Sequence, residues 1–232
     1  MARMPRHLVL ENGLAFHKVW RGHNREWNLG EKDEKLAYLG FLNDELVKQR
    51  SSLHALCLMS NHTHEVYTLD QIQEFSSFMR RHHGRYGQFF NKKHRRSGKV
   101  AEDRPHTSAI ESEGFEMTIV FYIHANPVRA GMVKDAKDYV WSTHQLYAFG
   151  RKVPWMKNIK FPDWYMNLGR TMKERQKKYR ELFDAYLREY GLRKQHFTVY
   201  GVGDLRWRRA RRMAILAFMK ERVRAQAPPQ IG

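Results

Sequence analysis

Apolar residues recur along the chain in two periods, and the alternation between them sketches a mixed α+β architecture. Leu8–Val19 alternates imperfectly around Gly13 and predicts a first strand that includes Phe16 and Val19. Leu36, Leu39, Leu42 and Leu46 fall at helical spacing. They predict a helix over Asp33–Gln49, with Asp33 and Glu34 in its first turn, where carboxylates favour the helix dipole. Leu53–Met59 and His62–Leu69 read as two strands joined by a polar turn at Ser60-Asn61, or as one strand bent there. Gln71–Asn91 is a second helix, with Ile72, Phe75, Met79, Tyr86 and Phe90 as its buried stripe. The basic connection Lys92–Ile110 is too long for an inert loop and predicts a hairpin or a functional loop.

A third helix is expected over Gly114–Ala125, with Phe115, Ile119, Tyr122 and Ile123 along one side. Asn126-Pro127 should end it, because a residue before proline is pushed out of helical geometry. Gly131 can close the following turn, and the aromatic-rich Tyr139–Phe149 could cover the core. These elements make residues 1–150 one domain. Residues 151–162, with two prolines, read as a linker, and 163–232 as a helical, basic extension with a disordered tail. Thr171 with Glu174 fits a capping box, and Asp204 can cap the last helix.

Charge narrows the function. The 232 residues carry 42 Lys+Arg against 24 Asp+Glu, a formal net charge of +18, which favours a polyanionic partner. Nucleic acid leads. A membrane surface is second, weakened by the absence of any long uncharged apolar run. No export signal is seen, so a cytoplasmic location is expected. Cys57 is the only cysteine, which excludes a disulfide framework or a cysteine zinc site within one chain.

Candidate chemistry centres on Asn61-His62-Thr63-His64. Side chains alternate faces along a strand, so His62 and His64 point the same way and could bind one cation; two structural histidines would fit the same spacing. Tyr122 and Asn126, four apart, lie one above the other if the helix reaches Asn126; from local sequence alone, a core tyrosine fits as well. Arg21 and Arg25 lie in a basic turn that is either solvated or phosphate-facing. Arg80, Arg81 and Arg85, with Lys92 and Lys93 at the helix exit, are of one sign, which favours a phosphate-facing role. Arg104 and Arg129 flank the same motifs. Arg206 and Arg209 belong to a basic cluster that would grip a nucleic-acid backbone, or else serve as a solvated surface or bind another protein. Trp20 and Trp141 could stack bases or pack the core.

Three pieces together resemble the single-tyrosine HUH transposases, and within them the REP-associated tyrosine transposases. They are Met59-Ser-Asn-His-Thr-His64; Tyr122-Ile-His-Ala-Asn-Pro-Val-Arg-Ala-Gly-Met-Val133 with Asp138-Tyr-Val-Trp-Ser142; and the looser Phe16-His-Lys-Val-Trp-Arg-Gly-His-Asn-Arg25. The resemblance spans about the first 150 residues, and the Trp164–Phe183 stretch is similar to the family's downstream region. It implies a ferredoxin-like antiparallel sheet with helices on one face, Tyr122 as nucleophile, His62 and His64 as metal ligands and Asn126 as the third ligand. It also implies Mg²⁺ or Mn²⁺ as cofactor, hairpin (REP-like) DNA with an adjacent single-stranded site as partner, and a monomer or homodimer. Thr63, Ser60 and Glu65 depart from the family's usual residues; Thr63 and Glu65 share the face opposite the histidines and put packing in question rather than chemistry.

The reaction so implied is single-strand cleavage and rejoining through a 5′-phosphotyrosine, with no ATP and no P-loop in the sequence. The sequence identifies no general base. Two alternatives stand beside it: a DNA- or RNA-binding module that has lost catalysis, and a hydrolytic metalloenzyme that uses the two histidines without a tyrosine adduct.

Overall fold

The computed structural model describes residues 5–49, 51–152, 155, 157–191, 197–198 and 200–225. Its elements, in order, are α1 (Arg6–Val9), β1 (Ala15–Arg21), α2 (Lys32–Val47), β2 (Ser51–Leu58), β3 (His62–Leu69), α3 (Ile72–Lys93), β4 (His106–Ala109), α4 (Glu113–Arg129), α5 (His144–Phe149), α6 (Asp163–Met166), α7 (Met172–Tyr190) and α8 (Leu205–Ala225). The sheet is antiparallel in the order β2-β3-β1-β4. With α2 crossing from β1 to β2 and α3 from β3 to β4, this is the βαββαβ connectivity of a ferredoxin-like fold.

Helices cover both faces of the sheet rather than one. β3 shows why, since it is buried on either side. Thr63, Glu65 and Tyr67 face α2 and α3 together with Phe16 and Trp20 of β1 and Leu56 and Leu58 of β2. Val66 on the other face joins Ala55 and Cys57 beneath Ile119, Tyr122 and Ile123 of α4. A strand desolvated on two faces needs a layer on each. The second layer draws on the C-terminal region too: Trp164, Tyr165, Tyr179, Phe183 and Tyr186 share one core with α4 and α5.

The polar departures at Thr63 and Glu65 are compensated by a closed network. Glu65 is fully buried, yet it accepts from Lys18 Nζ at 2.8 Å on each oxygen, from Tyr38 at 2.7 Å, from Thr63 at 2.7 Å, and from Tyr67. Burial pushes its carboxyl up, but the Lys18 ammonium and the donors around it outweigh this and hold it at about 2.

Three further expectations change. Leu8 and Val9 lie in α1, and the chain turns at Gly13 (φ +75°) before β1 begins at Ala15. The 92–110 connection contains β4, whose His-Thr-Ser-Ala sequence carries no apolar alternation and is a strand because β1 pairs with it. α4 runs through Pro127 to Arg129 and closes at Gly131 (φ +68°); only its last turn loses a donor, and the Ala130 amide still reaches the Asn126 carbonyl at 2.9 Å. Within the stretch read as a linker, Ile159 bridges Leu53, and the Lys160 amide donates to the Leu53 carbonyl at 3.0 Å. The capping box at Thr171–Glu174 and the Asp204 cap (Trp207 amide to Oδ1, 2.7 Å) form as expected. The tail beyond Ala225 lies outside the described residues.

Candidate active site

Register builds the site. Val19 of β1 is the Cα partner of both His64 and His106, Arg21 is the partner of His62, and Cys57 is the partner of His64. Directly paired residues share a face, so His62, His64, His106, Arg21 and, two residues before Val19, His17 stand on the surface that α4 crosses. The His62 and His64 rings lie 4.9 Å apart between centroids. Tyr122 comes down from α4 and meets His64 edge to face at 5.9 Å. The expected strand and helix therefore face one another.

On α4, Tyr122, Asn126 and Arg129 form one constellation. The Arg129 guanidinium carbon lies 4.4 Å over the Tyr122 ring centroid, Nη1 donates to the Tyr122 carbonyl at 3.4 Å, and the same nitrogen donates to Asn126 Oδ1. Asn126 Nδ2 is buried and finds no partner among the described residues. Phe197 packs edge-on against Tyr122 at 4.9 Å and against His17 at 5.0 Å. It arrives because the chain before α8 pairs with the edge of β4: the Val202 amide reaches the Ala109 carbonyl at 2.7 Å.

Electrostatics at the site are those of buried rings beside cations. Burial raises the Tyr122 phenol above its ordinary value, while Arg129 and Arg21 pull it down. Burial pushes His64 well below the usual imidazole range, aided by His17, His62, Arg21 and Arg129. His17 is pushed to about 3, chiefly by burial and then by His106. Both rings are neutral at physiological pH.

Neutral imidazoles are the form in which histidine binds a cation. His62 Nδ1 lies 2.6 Å from Asn61 Oδ1, while Asn61 Nδ2 donates to the Arg25 carbonyl at 3.1 Å. The amide oxygen can only accept, so His62 carries a proton on Nδ1, and a cation would meet this ring through Nε2 in its neutral form. Two such imidazoles with one amide oxygen fit a divalent cation of the Mg²⁺ or Mn²⁺ class, Mn²⁺ better. Among the described residues no group of three or more histidine, cysteine or carboxylate side chains could hold a metal ion. Any cation here would thus need the Asn126 oxygen or oxygens from a substrate, and Asn126 would have to share or release its contact with Arg129.

The other expected DNA contacts are scattered. Arg21 and Arg129 belong to the site. Arg25 is exposed beside it in a left-handed conformation (φ 61°). Three cations of α3 turn instead toward α2, under the opposite face of the sheet. Arg81 pairs with Glu45 at 2.6 Å, Arg85 with Asp44 at 2.8 Å, and Lys93 with Asp33 at 2.5 Å. Arg80, Lys92 and Arg104 are exposed, as are Arg206 and Arg209 on α8. Trp20 is buried in the core against Tyr38, His83 and Tyr86, and Trp141 packs against Trp155. The sequence reading missed His17 and Phe197. Alternation along β1 puts His17 on the face of Val19 and Arg21, but only the strand register brings that face to His64.

No protein-family model matches the chain, and no curated protein sequence does. A solved structure of a REP-associated tyrosine transposase bound to a REP hairpin is similar to it, with a TM-score of 0.54 and 21% identity over 69% of this chain and 94% of that one. The resemblance read from the histidine and tyrosine motifs is thereby joined by a likeness of fold, which in this chain is an α+β architecture of four antiparallel strands with helices.

Proposed function

We propose that this protein is a divalent-cation-dependent, single-tyrosine DNA strand transferase that cuts and rejoins a single strand next to a hairpin. The observation that carries the reading is the edge-to-face meeting of Tyr122 with His64, beside His62 and beneath Arg129. A buried tyrosine against the His64 ring, in the field of Arg129 and Arg21, supports attack on a phosphodiester.

Tyr122 Oη forms a bond to phosphorus as the bond from phosphorus to the 3′ oxygen breaks. The phenol proton is released to solvent, the leaving oxygen takes a proton to become a 3′-hydroxyl, and a 5′-phosphotyrosine remains. Attack by another 3′-hydroxyl reverses the step and restores the tyrosine. Arg129 and Arg21 favour the phenolate and the anionic phosphate alike. A cation held by His62, His64 and Asn126 would supply Lewis-acid polarisation of the scissile phosphate. The net charge of +18 supports a nucleic-acid partner, and the hairpin is taken from what the similar transposase binds. Among the described residues no helix is long and apolar enough to cross a membrane.

A second reading, a hairpin-binding protein without catalysis, is favoured by one feature: Asn126 Oδ1 is engaged by Arg129 while Tyr122 is only 5% exposed under Phe197. A labelled hairpin oligonucleotide with an unpaired flank, incubated with Mn²⁺, separates the two. A covalent adduct lost in Tyr122→Phe supports the transferase. Binding without an adduct under varied metals supports the second reading, and cleavage that survives the substitution indicates a hydrolase.

A further inference from the structure

His17 is fully buried on β1, diagonal to His64 across the β1–β3 ladder. The two rings are almost coplanar, at 6°, with centroids 5.1 Å apart and His17 Nε2 only 2.9 Å from His64 Nδ1. Rings in one plane with facing nitrogens at that distance meet edge to edge through a hydrogen bond. Two neutral imidazoles place a single proton in such a contact, so one of two arrangements holds. If His17 donates, the His64 proton sits on Nε2 and that nitrogen cannot ligate. If His64 donates from Nδ1, its Nε2 carries the lone pair and the His17 proton moves to Nδ1.

The neighbouring histidine indicates which arrangement serves a cation. Asn61 Oδ1 accepts from His62 Nδ1 and fixes a proton there, so the neutral ring has its lone pair on Nε2. We propose that His17 is the positioning residue that does the same for His64, accepting its Nδ1 proton so that both histidines present Nε2 to a divalent cation. This rests on the reading of His62 and His64 as cation ligands. The buried nitrogen of His17 that lacks a partner among the described residues is Nδ1, the atom that carries the proton in this arrangement. An unpaired buried donor is costly, and a cation bound at His64 Nε2 would offset that cost. The Phe197 edge against His17 and the parallel ring of His64 leave His17 little room to turn.

The test measures Mn²⁺ binding to the full chain by electron paramagnetic resonance, with no DNA and no activity readout. His17→Phe keeps a planar ring without an acceptor, and affinity should fall about ten- to a hundred-fold, the range for loss of a ligand's outer partner. His17→Gln restores an acceptor and should recover most of the loss. In parallel, ¹⁵N spectra of the wild-type protein with Mg²⁺ should show His64 protonated on Nδ1 and bare on Nε2. A wild-type protein that binds no Mn²⁺, or a His64→Ala variant that binds it as well as wild type, overturns the cation reading and this inference with it. Intact binding in His17→Phe, with binding lost in His64→Ala, overturns the role of His17 alone. So does an Nε2-protonated His64 in the Mg²⁺-loaded wild type, which needs no variant to fold.

Discussion

The guanidinium of Arg129 lies 4.4 Å over the ring of Tyr122, seven residues before it on the same helix, and also holds Asn126 Oδ1 between them. Arg129 thus ties the proposed nucleophile to the proposed third ligand. It lowers a phenol that burial raises. Arg129→Met should therefore move Tyr122 further from ionisation, slow adduct formation at neutral pH by about ten-fold for a cation–π contact of about 1–2 kcal/mol, and shift the alkaline rise in rate to higher pH. A pH–rate profile of adduct formation reads this. A profile unmoved by the substitution means that Arg129 acts only on the fold.

The buried Lys18–Glu65 pair makes a stability prediction. Glu65→Gln leaves the Lys18 ammonium buried and unpaired and should cost about 3–5 kcal/mol in urea denaturation. Lys18→Met with Glu65→Leu should be far less damaging than either single change, because no uncompensated charge remains. The sign with pH follows from Glu65 standing at about 2 in the fold, below the ordinary 4.5. Its contribution is full above about pH 4.5 and is lost as pH falls toward 2.

Acid sensitivity should begin earlier, through buried histidines. His82 donates from Nε2 to the Tyr38 carbonyl at 3.0 Å, and burial, then Lys18, depresses it to about 3. The unfolded chain binds a proton near pH 6.5 that the folded chain refuses. Stability therefore falls as pH drops from about 6.5 toward 3, by about 1.4 kcal/mol per pH unit for each such residue. Urea midpoints at pH 7 and pH 5 measure the slope, and His82→Gln should flatten it. An unchanged slope would assign the acid sensitivity to other groups.

Basic residues divide into two sets that affinity can separate. Arg81 and Arg85 are paired with Glu45 and Asp44 on α2, so their alanine variants should leave hairpin affinity within about two-fold, as expected when a cation is already neutralised by a carboxylate. Arg21→Ala, opposite His62 in the ladder, should weaken binding and reduce the salt dependence by about one counterion. Fluorescence anisotropy over a salt series reads both. Equal losses at Arg81 and Arg21 would place the DNA on the α2–α3 side instead.

Much of this arrangement could be read from local pattern because it is local in origin. The four-residue offset of Tyr122 and Asn126 and the two-residue offset of His62 and His64 follow from the helix and strand repeats, so each pair was visible in the sequence. What brings the pairs together is not local. His17 enters through the β1–β3 register, and β4 exists only because β1 pairs with it. The charge run on α3 reads as a phosphate surface until α2 supplies its carboxylates. Pro127 marks a helix end by propensity, but in the last turn a missing amide costs one bond, and the helix continues to Arg129. Thr63 and Glu65 look like flaws in a buried strand until Lys18, Tyr38 and Tyr67 close around them from two other elements and the same strand.

The central claim is that Tyr122 becomes joined to DNA. The most direct measurement is mass spectrometry of peptides from the wild-type protein after incubation with Mn²⁺ and a hairpin oligonucleotide bearing an unpaired flank. The account predicts a nucleotide-bearing peptide with the phosphate on Tyr122, absent from Tyr122→Phe and strongly reduced in His62→Ala and His64→Ala. An adduct on another residue, or strand cleavage that proceeds unchanged in Tyr122→Phe, would contradict it.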